Sequence, residues 1–243
     1  MTGAGTTDGG RPATNARSTG VVAVVLLALL VALTVAVVVR HGAPLPGDTV
    51  LHRRSLHDRP PVAVATARAV TATGSGVVPY VLAVVAGLLA GRDAKGRRYA
   101  VAGALAVLVL GQLVRYGLMA AVARPRPTSL DWATTASGFS FPSGHTTTSA
   151  LTAGLLAWAV LTRRTPAAAR PTIAVLCLWA VAVGVSRIYL GVHWASDVLG
   201  GWLFASLWLC LAALVTSPRV RAAGRRRTGR VRAPLGARPP GGA

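Results

Sequence analysis

Three short polar blocks in an otherwise apolar chain carry residues that could do chemistry. The first is Ser186-Arg187, with His193 six residues and Asp197 ten residues after Arg187. His193 and Asp197 are spaced i, i+4, which on a helix puts both on one face, one turn apart. A carboxylate there accepts the Nδ1 proton of the imidazole and leaves Nε2 free as a nucleophile or base. Arg187 adds a planar cationic fork suited to phosphate oxygens. The second block, Phe141-Pro142-Ser143-Gly144-His145, opens an apolar run. A helix starting there offers free N–H groups and the positive end of its dipole to an anion. Gly144 lets backbone approach that anion closely, and Ser143 doubles as a helix N-cap. The third block is Arg124-Pro125-Arg126-Pro127, two arginines on a proline-stiffened loop with no adjacent carboxylate.

The elements that must position these blocks are apolar. Hydrophobic residues make up 53% of the 243 and charged residues only 13%, low for a soluble domain of this size. Six apolar runs cover about 20–39, 76–91, 99–122, 146–162, 171–190 and 195–216. Most approach the roughly 20 residues that a spanning helix needs; the second and fourth are short. The expected fold is all-α: a polytopic membrane protein with six transmembrane helices in a bundle, over residues 20–217. Residues 1–19 read as a disordered tail and 218–243 as a basic, disordered tail drawn to anionic lipid headgroups. The outer loop 41–75 is too polar to span and is expected to hold an amphipathic surface helix. Cys177 and Cys210 lie inside spans and read as small apolar fillers.

The chain carries 26 basic residues against six aspartates and no glutamate. That charge is spread over tails and short loops, so nucleic acid is not the expected partner. With the N-terminus inside, 17 of the 26 basic residues fall in inner segments. The bias predicts both termini cytoplasmic. All three polar blocks then converge on the extracytoplasmic face. Charged residues at the membrane edge are costly and mark function.

These blocks resemble the motifs of the type-2 phosphatidic acid phosphatase family, integral-membrane lipid phosphate phosphatases that share a core with vanadium haloperoxidases. Its motifs are K-x6-R-P, P-S-G-H and S-R-x5-H-x3-D. The second matches as Pro142-Ser143-Gly144-His145 and the third as Ser186, Arg187, His193 and Asp197; the resemblance runs over roughly residues 40–216. The first matches at Arg126-Pro127, but Met119 stands where the family has lysine. A thioether cannot replace an ammonium group at a phosphate, so Arg115, one turn earlier, or Arg124 is the candidate substitute.

The resemblance implies a phosphatase acting on a lipid phosphomonoester or diphosphate, of polyprenyl (undecaprenyl) diphosphate or phosphatidic-acid type. His193 would form a phosphohistidine, Asp197 would orient it, and His145 would protonate the leaving oxygen and then activate water. Arg126, Arg187, Ser143 and the Gly144 amide would bind the phosphoryl group. No cofactor or metal is expected, because a two-metal site needs several carboxylates and only Asp131 and Asp197 lie near these loops. Two alternatives remain open at this point: a lipid phosphotransferase using the same phosphohistidine, and a non-catalytic lipid-binding or scaffold protein.

Overall fold

The computed structural model describes residues 11–216. These form α1 (Arg11–Val39), α2 (Asp48–His57), α3 (Pro61–Ala72), α4 (Val78–Ala90), α5 (Ala94–Val122), α6 (Gly144–Leu161), α7 (Pro166–Tyr189) and α8 (Ala195–Thr216). A 3-10 turn, Ser129–Asp131, lies in the long loop between α5 and α6, and no strand occurs among the described residues. Residues 1–10 of the expected N-terminal tail and the expected basic tail, 218–243, lie outside the described residues.

Local chemistry sets several boundaries. The helix expected to begin near residue 20 begins at Arg11. Pro12 falls in its first turn, where a missing N–H costs nothing. The α5 helix starts after Asp93, whose carboxylate accepts the Gly96 N–H at 2.7 Å. It ends at Ala123, which adopts left-handed φ/ψ of 49° and 35° and returns its N–H to Met119 O. Thr165 caps α7, with Pro166 in the first turn.

Four helical segments are long and apolar enough to cross a membrane: Ala16–Val39, α5, α7 and α8. The 13 residues of α4 reach only about 20 Å at 1.5 Å per residue, because Gly91 ends the helix. The 18 residues of α6 begin with two polar turns.

The centre of the bundle is α6, packed against α4, α7 and α8. Its polar turns lie inside: Thr146, Thr147, Thr148, Ser149 and Thr152 are all buried. Thr147, Thr148 and Thr152 each donate to the carbonyl four residues back, and Ser149 to the carbonyl three back. Such back-bonding satisfies hydroxyls that would otherwise be costly to bury. Leu151 and Leu155 of α6 join Ala83, Ala86 and Leu108 in one apolar cluster. Phe141, Phe204 and Leu207 form another with Leu30 and Val37 of α1. A Cβ on Gly200 would lie 2.9 Å from Phe141 Cζ. Glycine there lets α8 come close to the segment that launches α6.

The outer segment departs from expectation. Instead of one surface helix, residues 41–75 fold as α2 and α3, separated at Pro60-Pro61. Both dock on the bundle: α2 against α7 and α8, α3 along α7. Asp48, His52, Ala67 and Thr71 are buried by this docking; Ala67 packs on Leu190 and Val192, and the three polar side chains find polar partners inside.

Candidate active site

The C-terminal ends of α5 and α7 and the N-terminal ends of α6 and α8 meet at one end of the bundle. There they enclose a cavity of about 410 Å³. Its wall includes Arg115, Met119, Arg126, Gly144, His145, Arg187 and His193.

His193 lies in the turn between α7 and α8, two residues before α8 begins. The sequence reading put it on a helix with Asp197; the structure realises the same i, i+4 pairing through a helix cap. Asp197 sits in the first turn of α8. Its Oδ2 accepts the Trp194 N–H at 2.9 Å and faces His193 Nδ1 at 3.4 Å. Reaching back to the backbone just before the helix is the work of an N3 carboxylate, and it carries the imidazole along. Gly191, at φ +78°, turns the chain so that His193 can do this. On its other side, His193 Nε2 lies 2.9 Å from Arg126 Nη1. A guanidinium only donates, so Nε2 is the acceptor and the proton is on Nδ1, toward Asp197. Burial pushes the imidazole down to about 4, with Arg126 and Arg187 pushing the same way and Asp197 opposing. The ring is therefore neutral at pH 7.

Three guanidiniums share the cavity wall with this histidine. Arg126 Nε and Nη2 donate to the carbonyls of Gly138, Ser137 and Phe139, and Nη1 to Val192 O, at 2.9–3.0 Å. Arg187, 2% exposed, donates from Nη1 to Thr71 Oγ1 at 3.0 Å, while its buried Nε has no partner. An orphaned buried donor is costly and here belongs to a residue lining the cavity. Arg115 stacks over the Tyr116 ring at 4.1 Å and donates from Nε to Gln112 Oε1 at 2.8 Å and from Nη1 to Met119 Sδ at 3.5 Å. Its Cζ would sit 3.4 Å from a Cβ on Gly144. The guanidinium thus lies against the N-terminus of α6.

Of the two candidates for the missing cation, Arg115 reaches the cavity and Arg124 does not. Arg124 is fully buried and bonded to Asp197, Asp48, Ser196 and the carbonyls of Gly42 and Ala43. Ser143 is also set back. It is fully buried, precedes α6 without a side-chain cap bond, and its Oγ accepts from Thr146 Oγ1 at 3.0 Å. Its N–H bonds to Asp197 O at 3.0 Å, tying α6 to α8. Gly144 and His145 do line the cavity.

Several residues escaped the sequence reading. Thr71 holds Arg187 from α3. Gln112 holds Arg115 and donates to Thr148 Oγ1 on α6; it is the sole glutamine of the chain and lies mid-span, which was a usable signal. The docked outer segment pins the loop that supplies three of Arg126's carbonyls: His52 Nε2 of α2 pairs with Asp131 at 2.9 Å, Arg59 of the α2–α3 link donates to Asp131 O at 2.7 Å and Arg68 of α3 to Ala133 O at 2.6 Å. Among the described residues, no group of three or more His, Cys, Asp or Glu is arranged to hold a metal.

Known proteins resemble this sequence and share this fold. Phosphatidylglycerophosphatase B of Bacillus subtilis (strain 168) is 43% identical over 82 residues, 32% of this chain and 38% of that protein. The protein of the same name from Escherichia coli (strain K12) is 38% identical over 85 residues, 33% of this chain and 32% of that protein. The matched segments thus span about a third of these relatives' own lengths. Among solved structures, the transmembrane PAP2-type phosphatidylglycerolphosphate phosphatase of Bacillus subtilis superposes with a TM-score of 0.66 at 26% identity, over 78% of this chain and 93% of that one. Aquifex aeolicus LpxE shares the fold, with a TM-score of 0.54 at 24% identity over 68% and 93% of the two chains. The profile of the PAP2 superfamily matches residues 100–221, half of the 243, and this chain, an all-helical multi-pass membrane protein, belongs to that superfamily.

Proposed function

We propose that this protein is a lipid phosphate phosphatase that works through a phosphohistidine on His193. One observation carries the reading: a neutral, Asp197-backed imidazole sits at a cavity lined by three guanidiniums and a helix N-terminus. Nucleophilic catalysis wants an oriented histidine, and phosphoryl transfer wants positive groups on the equatorial oxygens.

The reaction follows from these positions. An incoming phosphoryl group displaces Arg126 Nη1 from His193 Nε2 and takes bonds from Arg126, Arg187, Arg115 and the first amides of α6. Nε2 attacks phosphorus as the P–O bond to the lipid breaks, and His145, held as the imidazolium by the negative charge of the bound phosphate, gives its proton to the leaving oxygen and becomes neutral. The imidazolium charge is held by Asp197. Water then attacks phosphorus, His145 takes its proton, the N–P bond breaks and inorganic phosphate leaves.

The substrate is a lipid phosphomonoester or diphosphate. The relatives' names put phosphatidylglycerophosphate first in a panel, followed by phosphatidic-acid-type lipids and polyprenyl diphosphates. In the membrane, α6 and the short α4, the latter accommodated by local thinning of the bilayer, join the four long helices to make six spans, the termini are cytoplasmic, the site is extracytoplasmic and the basic tail rests on anionic headgroups.

The test is phosphate release from that panel in detergent micelles. We expect release in water without added acceptor, its abolition in folded His193→Ala, and an acid-labile, base-stable phosphoenzyme. Release only with an added alcohol would make the protein a transferase; none from any lipid would make it a binding protein.

A further inference from the structure

Behind Asp197 lies a second buried carboxylate that the reaction above does not use. Asp48 opens α2 and is 2% exposed. Its Oδ2 accepts from Leu45 N at 2.9 Å, Arg124 Nη2 at 2.9 Å and Ser196 Oγ at 2.6 Å, and its Oδ1 from Ser196 N at 2.9 Å. Arg124 Nη1 in turn donates to Asp197 Oδ1 at 2.6 Å and Ser196 Oγ at 2.7 Å. A chain of buried polar contacts therefore runs from His193 through Asp197 and Arg124 to Asp48.

We propose that Asp48 is a positioning residue for the reaction, acting through Arg124 and Ser196 to keep Asp197 aimed at His193; the proposal rests on the phosphatase reading above. Two physical arguments carry it. The first is geometric. Arginine left alone with a carboxylate prefers to take both oxygens through a two-pronged contact. Asp48 takes Nη2, so Arg124 reaches Asp197 through Nη1 and Oδ1 alone. Oδ2 stays with Trp194 N and His193. The second is electrostatic. Asp197 and Arg124 by themselves sum to zero charge. Asp48 makes the buried cluster net negative next to an imidazole that becomes cationic during attack. A low-dielectric interior makes that charge count.

The test is Asp48→Asn, which keeps the shape and removes the charge. Phosphate release from ³²P-labelled lipid gives kcat and KM, and size exclusion with thermal denaturation in detergent gives the folded fraction. We expect kcat of the folded enzyme to fall on the order of 10- to 100-fold, with KM within about threefold. In an Asp197→Asn background the same change should cost less than about threefold, because the two residues act as one unit. A merely structural role would lower the folded fraction and leave kcat of the folded enzyme alone, and that result overturns the proposal. So does full additivity with Asp197→Asn. Should Asp48→Asn fail to fold, Ser196→Ala cuts one link of the chain and leaves the charges; a kcat drop absent in the Asp197→Asn background supports the proposal, and an unchanged kcat refutes it. An inactive wild-type enzyme would instead sink the phosphatase reading.

Discussion

Removing the Arg115 guanidinium is the most informative single perturbation of this site. The first motif has methionine at position 119 where the family carries a cation, and the structure sets Arg115 Nη1 3.5 Å from that methionine's sulfur. Arg115 is 4% exposed, and its guanidinium is steadied by Gln112 and the face of Tyr116 and lies against Gly144. We predict that it binds the phosphoryl group. A charge-assisted hydrogen bond contributes about 1.5–3 kcal/mol, so Arg115→Met should lower kcat/KM roughly 10- to 150-fold. Met119→Lys alone should bring no gain. An ammonium held where the Met119 sulfur sits, 3.5 Å from Arg115 Nη1, would be repelled by about 5 kcal/mol at an effective dielectric of 20, and a lysine, being longer, would swing away from the site to avoid it. In the Arg115→Met background that repulsion is gone, and Met119→Lys should recover most of the loss. The assay is steady-state phosphate release in micelles for the wild type, both single variants and the double variant. If Arg115→Met keeps the wild-type kcat/KM, the reasoning fails. It fails equally if Met119→Lys does not rescue, since the cavity wall would then be misjudged at both positions.

Other expectations concern protonation, metals and sidedness. Because His193 is held down to about 4, its neutral form persists above that pH and is lost as pH falls through it; the acid limb of kcat/KM should lie near pH 4, and a His193-dependent limb near 6.5 would contradict the buried, arginine-flanked setting. Activity should survive excess EDTA, whereas loss on chelation with recovery in Mg²⁺ would overturn the metal-free mechanism. In a variant with Cys177 and Cys210 replaced by alanine, a cysteine at Ser137, exposed on the cavity's outer wall, should react with an impermeant thiol reagent in intact cells. One at Arg164, beyond the other end of α6, should not react, and the reverse pattern would invert the proposed topology.

The sequence was most legible where chemistry is local. The blocks 124–127, 141–145 and 186–197 announce themselves by residue type, and Arg126, Gly144, His145, Arg187 and His193 all line one cavity. The apolar runs likewise mark α5, α7 and α8 to within a few residues. Contacts between distant segments were not legible. Arg124 looked like a phosphate ligand because its loop shows no carboxylate, yet its partners are Asp48 and Asp197, 76 and 73 residues away. Thr71 meets Arg187 across 116 residues. Ser143 read as a phosphate ligand and N-cap at a helix start but is buried, with α8 packed against it through Gly201. The outer segment read as one surface helix because hydropathy cannot register that Asp48 and Thr71 have buried partners.

The partners of the arginines divide the site into two halves with different jobs. Arg124, set back from the cavity, is neutralised by carboxylates. The three arginines at the cavity are held by neutral groups: backbone carbonyls and an imidazole for Arg126, a threonine hydroxyl for Arg187, an amide, a thioether and an aromatic face for Arg115. A buried cation paired with a carboxylate has spent its field on that partner. A cation fixed by dipoles keeps its field and is already oriented before the anion arrives. The holding groups here supply geometry at little cost in charge, and the unpaired Arg187 Nε is the clearest case of a donor left for a ligand. Among the described residues no carboxylate lines the cavity, and Asp197, with Asp48 beyond Arg124, lies on the Nδ1 side of His193, where they favour the imidazolium rather than oppose the phosphate. Moving a carboxylate to the near side should therefore damage the site more than deleting any one arginine. Gln112→Glu makes that comparison for Arg115 with an isosteric change, since it would pair Arg115 and silence it while adding a negative charge behind that guanidinium. We expect it to reduce kcat/KM below the level of Arg115→Met, and an equal or milder effect would show that the field of these arginines is not what the site conserves.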